Sequence, residues 1–245
     1  MLHSINDRSP VVHCITNTVS ANFQASGLLA IGASSIMTNE PKDATETVEV
    51  SNALSLNIGT INKKIKKAMI LAGKRANELN IPIVFDPVGA GATSYRTKIA
   101  KELLTNLKFK AIRCNYTELF TIANFTFDEQ VEQGSIDDII KIAKKVASHY
   151  GTIVAATGAI DLLSDGNLVE KIEGGSSITT KIAGAGCLLS SIVAAALTTD
   201  SDPFIATYEV LKEYKKAASM AASKSTLAGS FKLYFIDALQ ELSQN

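Results

Sequence analysis

Two glycines at the start of an apolar helix carry the clearest chemistry in the chain, in the segment Thr179-Thr-Lys-Ile-Ala-Gly184-Ala-Gly186-Cys187-Leu-Leu-Ser190. Glycine lets a backbone approach an anion closely. The first N–H groups of a helix lack intrahelical partners and lie at the positive end of its dipole. Gly184, Ala185 and Gly186 therefore read as a cradle for a phosphate, although the spacing suits an ordinary pre-helix loop equally well. Cys187 sharpens the reading. A thiol at a helix start is expected to have its pKa lowered from about 8.5, which would let it act as a base toward a substrate hydroxyl or simply point at one. The same cysteine also reads as a small packing residue.

Two carboxylates stand where strands are expected to end. Asp86 follows Ile81-Pro-Ile-Val-Phe85, a short buried strand despite Pro82, and Glu118 closes Cys114-Asn-Tyr-Thr-Glu118. Taken alone, Asp86 would cap a turn before Pro87, and Glu118 would cap the next helix or face solvent.

The elements that must position these residues alternate between helix and strand. Ile65, Ala68, Met69, Ala72, Ala76 and Leu79 recur at helical spacing, and Lys63, Lys64, Lys66, Lys67 and Lys74 lie between them as a solvated face. A second unit runs from the helix marked by Ile136, Ile139, Ile140, Ala143 and Ala147 into the strand Thr152-Ile-Val-Ala-Ala156. A strand at Lys110-Ala-Ile112 is expected to end at Ile112. Three helices follow toward the C-terminus: Cys187 to about Leu197, Phe204 to about Ser225, and one marked by Leu227, Phe231, Phe235, Leu239 and Leu242. This alternation predicts an α/β chain with a mostly parallel sheet, helices on both faces, and ligands beyond the C-terminal strand ends.

Composition narrows the function further. The 24 Lys+Arg balance the 24 Asp+Glu, which argues against an obligate nucleic-acid binder. No apolar run approaches the roughly 18 to 20 residues that cross a bilayer, and the first residues do not form a secretory signal. Cys14, Cys114 and Cys187 are odd in number and make no close pair, so a reduced, cytoplasmic protein without disulfides or structural zinc is expected. With no long linker or fixed repeat, residues 1–245 are read as one domain.

Six segments, in order, resemble the hydroxyethylthiazole kinase family of the ribokinase-like superfamily. They are Val12-His-Cys-Ile-Thr-Asn17, Leu28-Leu-Ala-Ile-Gly-Ala-Ser34 with Ile36-Met37, Asn57-Ile-Gly-Thr60, Phe85-Asp-Pro-Val-Gly-Ala-Gly-Ala-Thr93, Thr157-Gly158 and Gly184-Ala-Gly-Cys187. The resemblance implies a three-layer α/β/α sandwich without a lid subdomain. It also implies phosphoryl transfer from ATP, with Mg²⁺, to the alcohol of 4-methyl-5-(2-hydroxyethyl)thiazole for thiamine salvage, by a homotrimer with sites at subunit interfaces. Cys187 and Asp86 match catalytic positions, with Cys187 standing where most relatives in the superfamily carry an aspartate. Asp86 and Glu118 match the acidic positions near magnesium, and Mg²⁺ keeps several waters, so two carboxylates suffice. Arg113, Thr157, Ala185 and Gly186 match nucleotide or phosphate contacts. Met37 and Gly184 match thiazole contacts, with Asn17 in a matched segment, while His13 and Thr60 carry less specific assignments and His13 also reads as structural.

The chain departs from the family pattern at several points. Ala183-Gly-Ala-Gly-Cys187 replaces Thr-Gly-Thr-Gly-Cys and loses two hydroxyls; Cys114-Asn-Tyr-Thr-Glu118 replaces Gly-Asn-Ala-Ser-Glu; Leu227-Ala-Gly-Ser-Phe231 replaces Gly-Pro-Gly-Ser-Phe. Two alternatives follow: a kinase for another vitamin alcohol such as pyridoxal or hydroxymethylpyrimidine, and a thiazole or nucleotide sensor without turnover.

Overall fold

A computed structural model describes residues 1–128, 134–199 and 201–244. The chain opens with α1 (Leu2–Arg8), β1 (Val11–Ile15), α2 (Ala21–Ala30), β2 (Ser34–Ile36), α3 (Pro41–Glu49) and β3 (Ala53–Asn57). It continues through α4 (Lys63–Glu78), β4 (Ile83–Asp86), α5 (Ser94–Asn106), β5 (Ala111–Asn115), α6 (Tyr116–Phe127), α7 (Ile136–Tyr150) and β6 (Ile153–Thr157). A hairpin of β7 (Asp161–Ser164) and β8 (Val169–Ile172) precedes a 3₁₀ turn at Ser177–Lys181 and the helices α8 (Ala185–Ala196), α9 (Pro203–Lys224) and α10 (Ala228–Gln244).

All eight strands form one sheet in the order β2-β1-β3-β4-β5-β6-β7-β8. The pairs from β2 to β6 are parallel, while β6–β7 and β7–β8 are antiparallel. Parallel strands need crossovers, and the apolar faces of these crossover helices cover the sheet on both sides. One core packs β-strand side chains such as Val12, Val84 and Ala111 against α1, α2, α8, α9 and α10. The other packs Leu54, Phe85 and Ile112 against α3 to α7. This is the expected three-layer sandwich.

Local expectations fare differently. Strand β4 starts after Pro82, which has no N–H to give and offers its carbonyl to the Leu54 N–H at 3.0 Å. Leu79 caps α4 and is exposed, not part of its buried face. The strand expected to close at Ile112 runs on to Asn115, so Arg113 lies inside it. A charged residue breaks the apolar pattern there, yet the ladder to β6 continues from Ala111↔Ile153 to Asn115↔Thr157. The lysines of α4 do form a largely exposed face, with Lys64 paired to Glu40 and Lys66 to Glu102. Among the described residues, no helix is long and apolar enough to cross a membrane.

Candidate active site

Strand alternation aims the key side chains at one helix. Along β3, Ala53 faces the α8 layer and Leu54 and Leu56 face the other, so Asn57 at the strand end points back toward α8. The same parity puts Asp86 (after Val84), Arg113 (after Ala111) and Thr157 (after Ala155) on the α8 side of three neighbouring strand ends. The chain runs β1 to β2 on one side and then returns to β3 on the other. The switch point of the sheet therefore lies between β1 and β3, at Asn17 and Asn57.

A continuous chain of hydrogen bonds spans this switch point. Asn17 Nδ2 donates to Cys187 Sγ at 3.4 Å and to Asn57 Oδ1 at 2.9 Å. Asn57 Nδ2 donates to Asp86 Oδ2 at 2.7 Å, and Ser190 Oγ donates to the same oxygen at 2.8 Å. Asp86 is wholly buried, and its other oxygen, Oδ1, has no hydrogen-bond partner and faces Arg113 Nη1 at 3.8 Å. Burial raises the Asp86 pKa above the usual carboxylate value, against the pull of Arg113. Burial and the Asp86 charge likewise raise Glu118.

Glu118 caps the next helix, one of the two readings its position allowed, and does not face solvent, the other. It closes the capping box of α6, with Asn115 Oδ1 accepting from the Glu118 N–H at 2.8 Å and Glu118 Oε2 accepting from the Asn115 N–H at 2.9 Å. It is also buried and turned inward, and its Oε1 accepts the Gly89 N–H at 2.9 Å from the loop after Asp86.

The start of α8 is built by close approach. Gly184 has φ of +90°, and a Cβ there would lie 2.6 Å from Ser20 Cβ. Gly186 passes so near Arg113 that a Cβ would meet Nη1 at 2.5 Å. The Ala185 carbonyl accepts from the Tyr214 hydroxyl at 2.5 Å. The free N–H groups of Ala185, Gly186 and Cys187 thus stand beside Arg113 and the end of β4.

Cys187 departs from its expected chemistry. Its thiol pKa is raised, not lowered: burial and the nearby Asp86 carboxylate outweigh the helix end and the hydrogen bonds from Ser20, Asn57 and Asn17. At neutral pH it stays a thiol.

Beside this cluster opens a cavity of about 620 Å³, walled by Arg113, Thr157, Ala185, Gly186, Tyr214 and Lys215 among others. The four residues matched to nucleotide contacts all line it. The Thr157 hydroxyl accepts from Arg113 Nη2 at 2.5 Å and donates to the Cys114 carbonyl at 3.3 Å, so it holds the guanidinium in place.

The remaining candidates lie farther off. Met37 follows the edge strand β2 and is half buried against the core that contains Phe23. The end of β2 is three strand spacings from the end of β4, about 14 Å, so Met37 is not joined to Asp86 within the chain. Gly184 faces Ser20 and Phe23 on the α2 side. His13 is buried on β1 with Nε2 3.1 Å from Thr38 Oγ1 and Nδ1 without a hydrogen-bond partner, and burial lowers its pKa to about 4. Thr60 Oγ1 accepts the Thr18 N–H at 3.2 Å and joins two loops. Asn57 and Ser190 received no role from the sequence. The alternation Ala53, Ser55, Asn57 was the available signal for the first, and the helical step from Cys187 to Ser190 for the second. Among the described residues, no three His, Cys, Asp or Glu gather as a metal cluster.

The open sheet, with its polar strand ends facing a glycine-led helix start, defines a ribokinase-like α/β fold. The same fold occurs in an ADP complex of Bacillus subtilis pyridoxal kinase, which is 19% identical, with a TM-score of 0.63 and coverage of 84% of this chain and 90% of that one. The chain belongs to the hydroxyethylthiazole kinase family, whose model matches residues 2–245. A hydroxyethylthiazole kinase of Lysinibacillus sphaericus is 43% identical over all of this chain and 96% of its own length. One of Haemophilus influenzae is 42% identical, over 99% of this chain and 93% of its own. The structure of a Pyrococcus horikoshii hydroxyethylthiazole kinase protein superposes with a TM-score of 0.91 at 32% identity, covering 98% of this chain and 91% of that one.

Proposed function

We propose that this chain, as a single domain, transfers the γ-phosphoryl group of ATP to the hydroxyl of 4-methyl-5-(2-hydroxyethyl)thiazole, producing its phosphate for thiamine salvage. The observation that carries the reading is the hydrogen-bonded chain from Cys187 through Asn17 and Asn57 to Asp86, set directly beside the α8 N–H groups and the cavity. Phosphoryl transfer asks a protein to position two reactants and to stabilise charge on the moving group, and these are the parts that do so.

In this reading the nucleotide fills the 620 Å³ cavity, with its phosphates toward Arg113 and the N–H groups of Ala185 and Gly186. The thiazole alcohol lies on the Asn17 side, its hydroxyl oriented by Cys187. The hydroxyl oxygen forms a bond to the γ-phosphorus as the bond to ADP breaks, and the hydroxyl proton leaves through the phosphate oxygens to water. Because Cys187 is a thiol, its contribution is orientation, and it does not take the hydroxyl proton. The N–H groups and Arg113 hold the charge of the transferring oxygens.

The residues present fit Mg²⁺. Asp86 Oδ1 is buried, acidic and without a hydrogen-bond partner, and would hold the ion, with the Glu118 carboxylate nearby on the Gly89 and Asn115 N–H groups adding negative charge. When bound, the ion would supply positive charge against the phosphates beside Asp86 and Glu118. The rest of the assignment follows the family: a homotrimer in the cytoplasm with sites between subunits, where Met37 at the sheet edge would contact the thiazole across an interface.

Purified protein with ATP, Mg²⁺ and the thiazole alcohol should yield thiazole phosphate and ADP in equal amounts, and pyridoxal and hydroxymethylpyrimidine should be poorer acceptors in the same panel. A folded protein that binds ligands without forming ADP would sink the kinase reading in favour of a sensor. Light scattering tests the trimer.

A further inference from the structure

We propose that Lys215, acting with Asp161 and Tyr116, is a positioning residue that holds the two loops of the nucleotide cavity at their binding separation. The inference rests on the nucleotide occupying that cavity. One loop is the turn Gly158-Ala159-Ile160 between β6 and β7; the other, Gly174-Gly175, follows β8. Both line the cavity, and each comes from the antiparallel hairpin at the sheet's far edge.

Lys215, on α9, is 9% exposed and has an acceptor for each ammonium hydrogen. Its Nζ donates to the Ala159 carbonyl at 3.3 Å and the Gly174 carbonyl at 3.4 Å, and pairs with Asp161 Oδ1 at 3.4 Å. One cation therefore ties both loops to one helix. With all three donors committed, it is not free to contact a phosphate, so its effect passes through the loops.

Each loop has a second fastening. Asp161 Oδ1 accepts the Gly158 N–H at 3.0 Å, and the Tyr116 hydroxyl donates to the Ile160 carbonyl. One turn beyond Lys215, Ser219 Oγ donates to the Gly175 carbonyl at 3.2 Å, and a Cβ on Gly175 would lie 3.3 Å from Lys215 Cγ. The Tyr116 ring fits only because position 158 is glycine, whose added Cβ would meet the ring at 2.6 Å. The turn bearing Thr157 and Gly158 is thus gripped from β7, α9 and α6 at once.

The test measures Mg-ADP affinity by calorimetry in the full chain, alongside KM for ATP, KM for the thiazole alcohol and kcat. Lys215→Met should weaken Mg-ADP binding and raise KM for ATP by about tenfold, with the thiazole KM and kcat moving far less. Because this variant leaves Asp161 charged and buried, the charge-neutral pair Lys215→Met with Asp161→Asn is measured too, and it should remain about tenfold weak. Tyr116→Phe removes one hydroxyl and tests the other side of the turn, with an expected loss of about threefold. Wild-type affinity in the double variant would reduce the pair to charge compensation and overturn the proposal, as would equal changes in both KM values. A parent protein that binds no Mg-ADP would refute the nucleotide reading itself, and the positioning role with it.

Discussion

On the β1–β3 side of the α8 start, Cys187, Asn17, Asn57, Asp86 and Ser190 are joined by hydrogen bonds of 2.7 to 3.4 Å. All but Cys187 are almost wholly buried. On the β5–β6 side the same helix start opens onto a cavity of about 620 Å³ framed by a hairpin turn and a glycine loop. The first region is held by strand ends, whose direction the sheet ladder dictates. The second depends on loops, which keep their places only through side-chain fastenings such as Lys215. Under the proposed function, the chemistry, which tolerates little displacement, belongs to the side set by strand ends, and nucleotide recognition to the side set by loops.

Substitutions can break this contrast in a graded way. Asp86→Ala should have the largest effect, a fall in kcat of roughly 10³-fold, since it removes the buried carboxylate proposed to hold Mg²⁺. Single-turnover phosphate formation would measure it. Cys187→Ser should stay within about 100-fold of the parent, because the thiol orients more than it ionises. A dead serine variant beside a healthy alanine variant would reverse the two roles.

Asn57→Leu should lower kcat by about 10- to 100-fold while KM for ATP changes little, as expected for a residue that holds the carboxylate proposed to bind Mg²⁺. Gly186→Ala tests the opposite side. Its Cβ would collide with the Arg113 guanidinium, so KM for ATP should rise about tenfold with a smaller change in kcat. If both variants moved the same kinetic constant, the division between the two regions would fail.

The smallest effect is a shift in pH dependence. Burial raises the pKa of Asp86 and Glu118, so these groups take up protons at a pH where ordinary carboxylates are ionised. The acid limb of kcat/KM at low Mg²⁺ should therefore lie above the usual carboxylate value of about 4, and more Mg²⁺ should move it downward by competing with protons. The stability sign is the reverse. Groups whose folded pKa is raised stabilise the fold most below their unfolded pKa, and that contribution is lost as pH rises through the folded value. Added Mg-ADP, which favours the ionised carboxylates, should consequently raise the melting temperature more at pH 8 than at pH 5.

The alternating helices and strands were legible because burial on both faces leaves periodic apolar patterns, as in Ile136 to Ala147 followed by Ile153 to Ala156. Asp86, Arg113 and Thr157 could be nominated because they follow apolar strands and match motif positions. Asn57 and Ser190 could not, since an asparagine after a strand and a serine in a helix carry no special chemistry until their partners are known. Cys187 misled for the related reason that a helix start lowers a thiol pKa only when burial and a neighbouring carboxylate do not oppose it.

Order along the chain was enough to establish the sheet-and-helix alternation, the glycine-led start of α8 and the family, because these depend on local backbone preference and on motifs read in sequence. Which groups would share hydrogen bonds required the folded chain. Asn17 comes from the loop after β1, Asn57 from β3, Asp86 from β4 and Cys187 from α8, and Lys215 reaches carbonyls more than 40 residues away. Burial acts through the same long-range packing. It leaves one Asp86 oxygen without a hydrogen-bond partner and keeps Cys187 protonated, and neither property belongs to a residue until the rest of the molecule surrounds it.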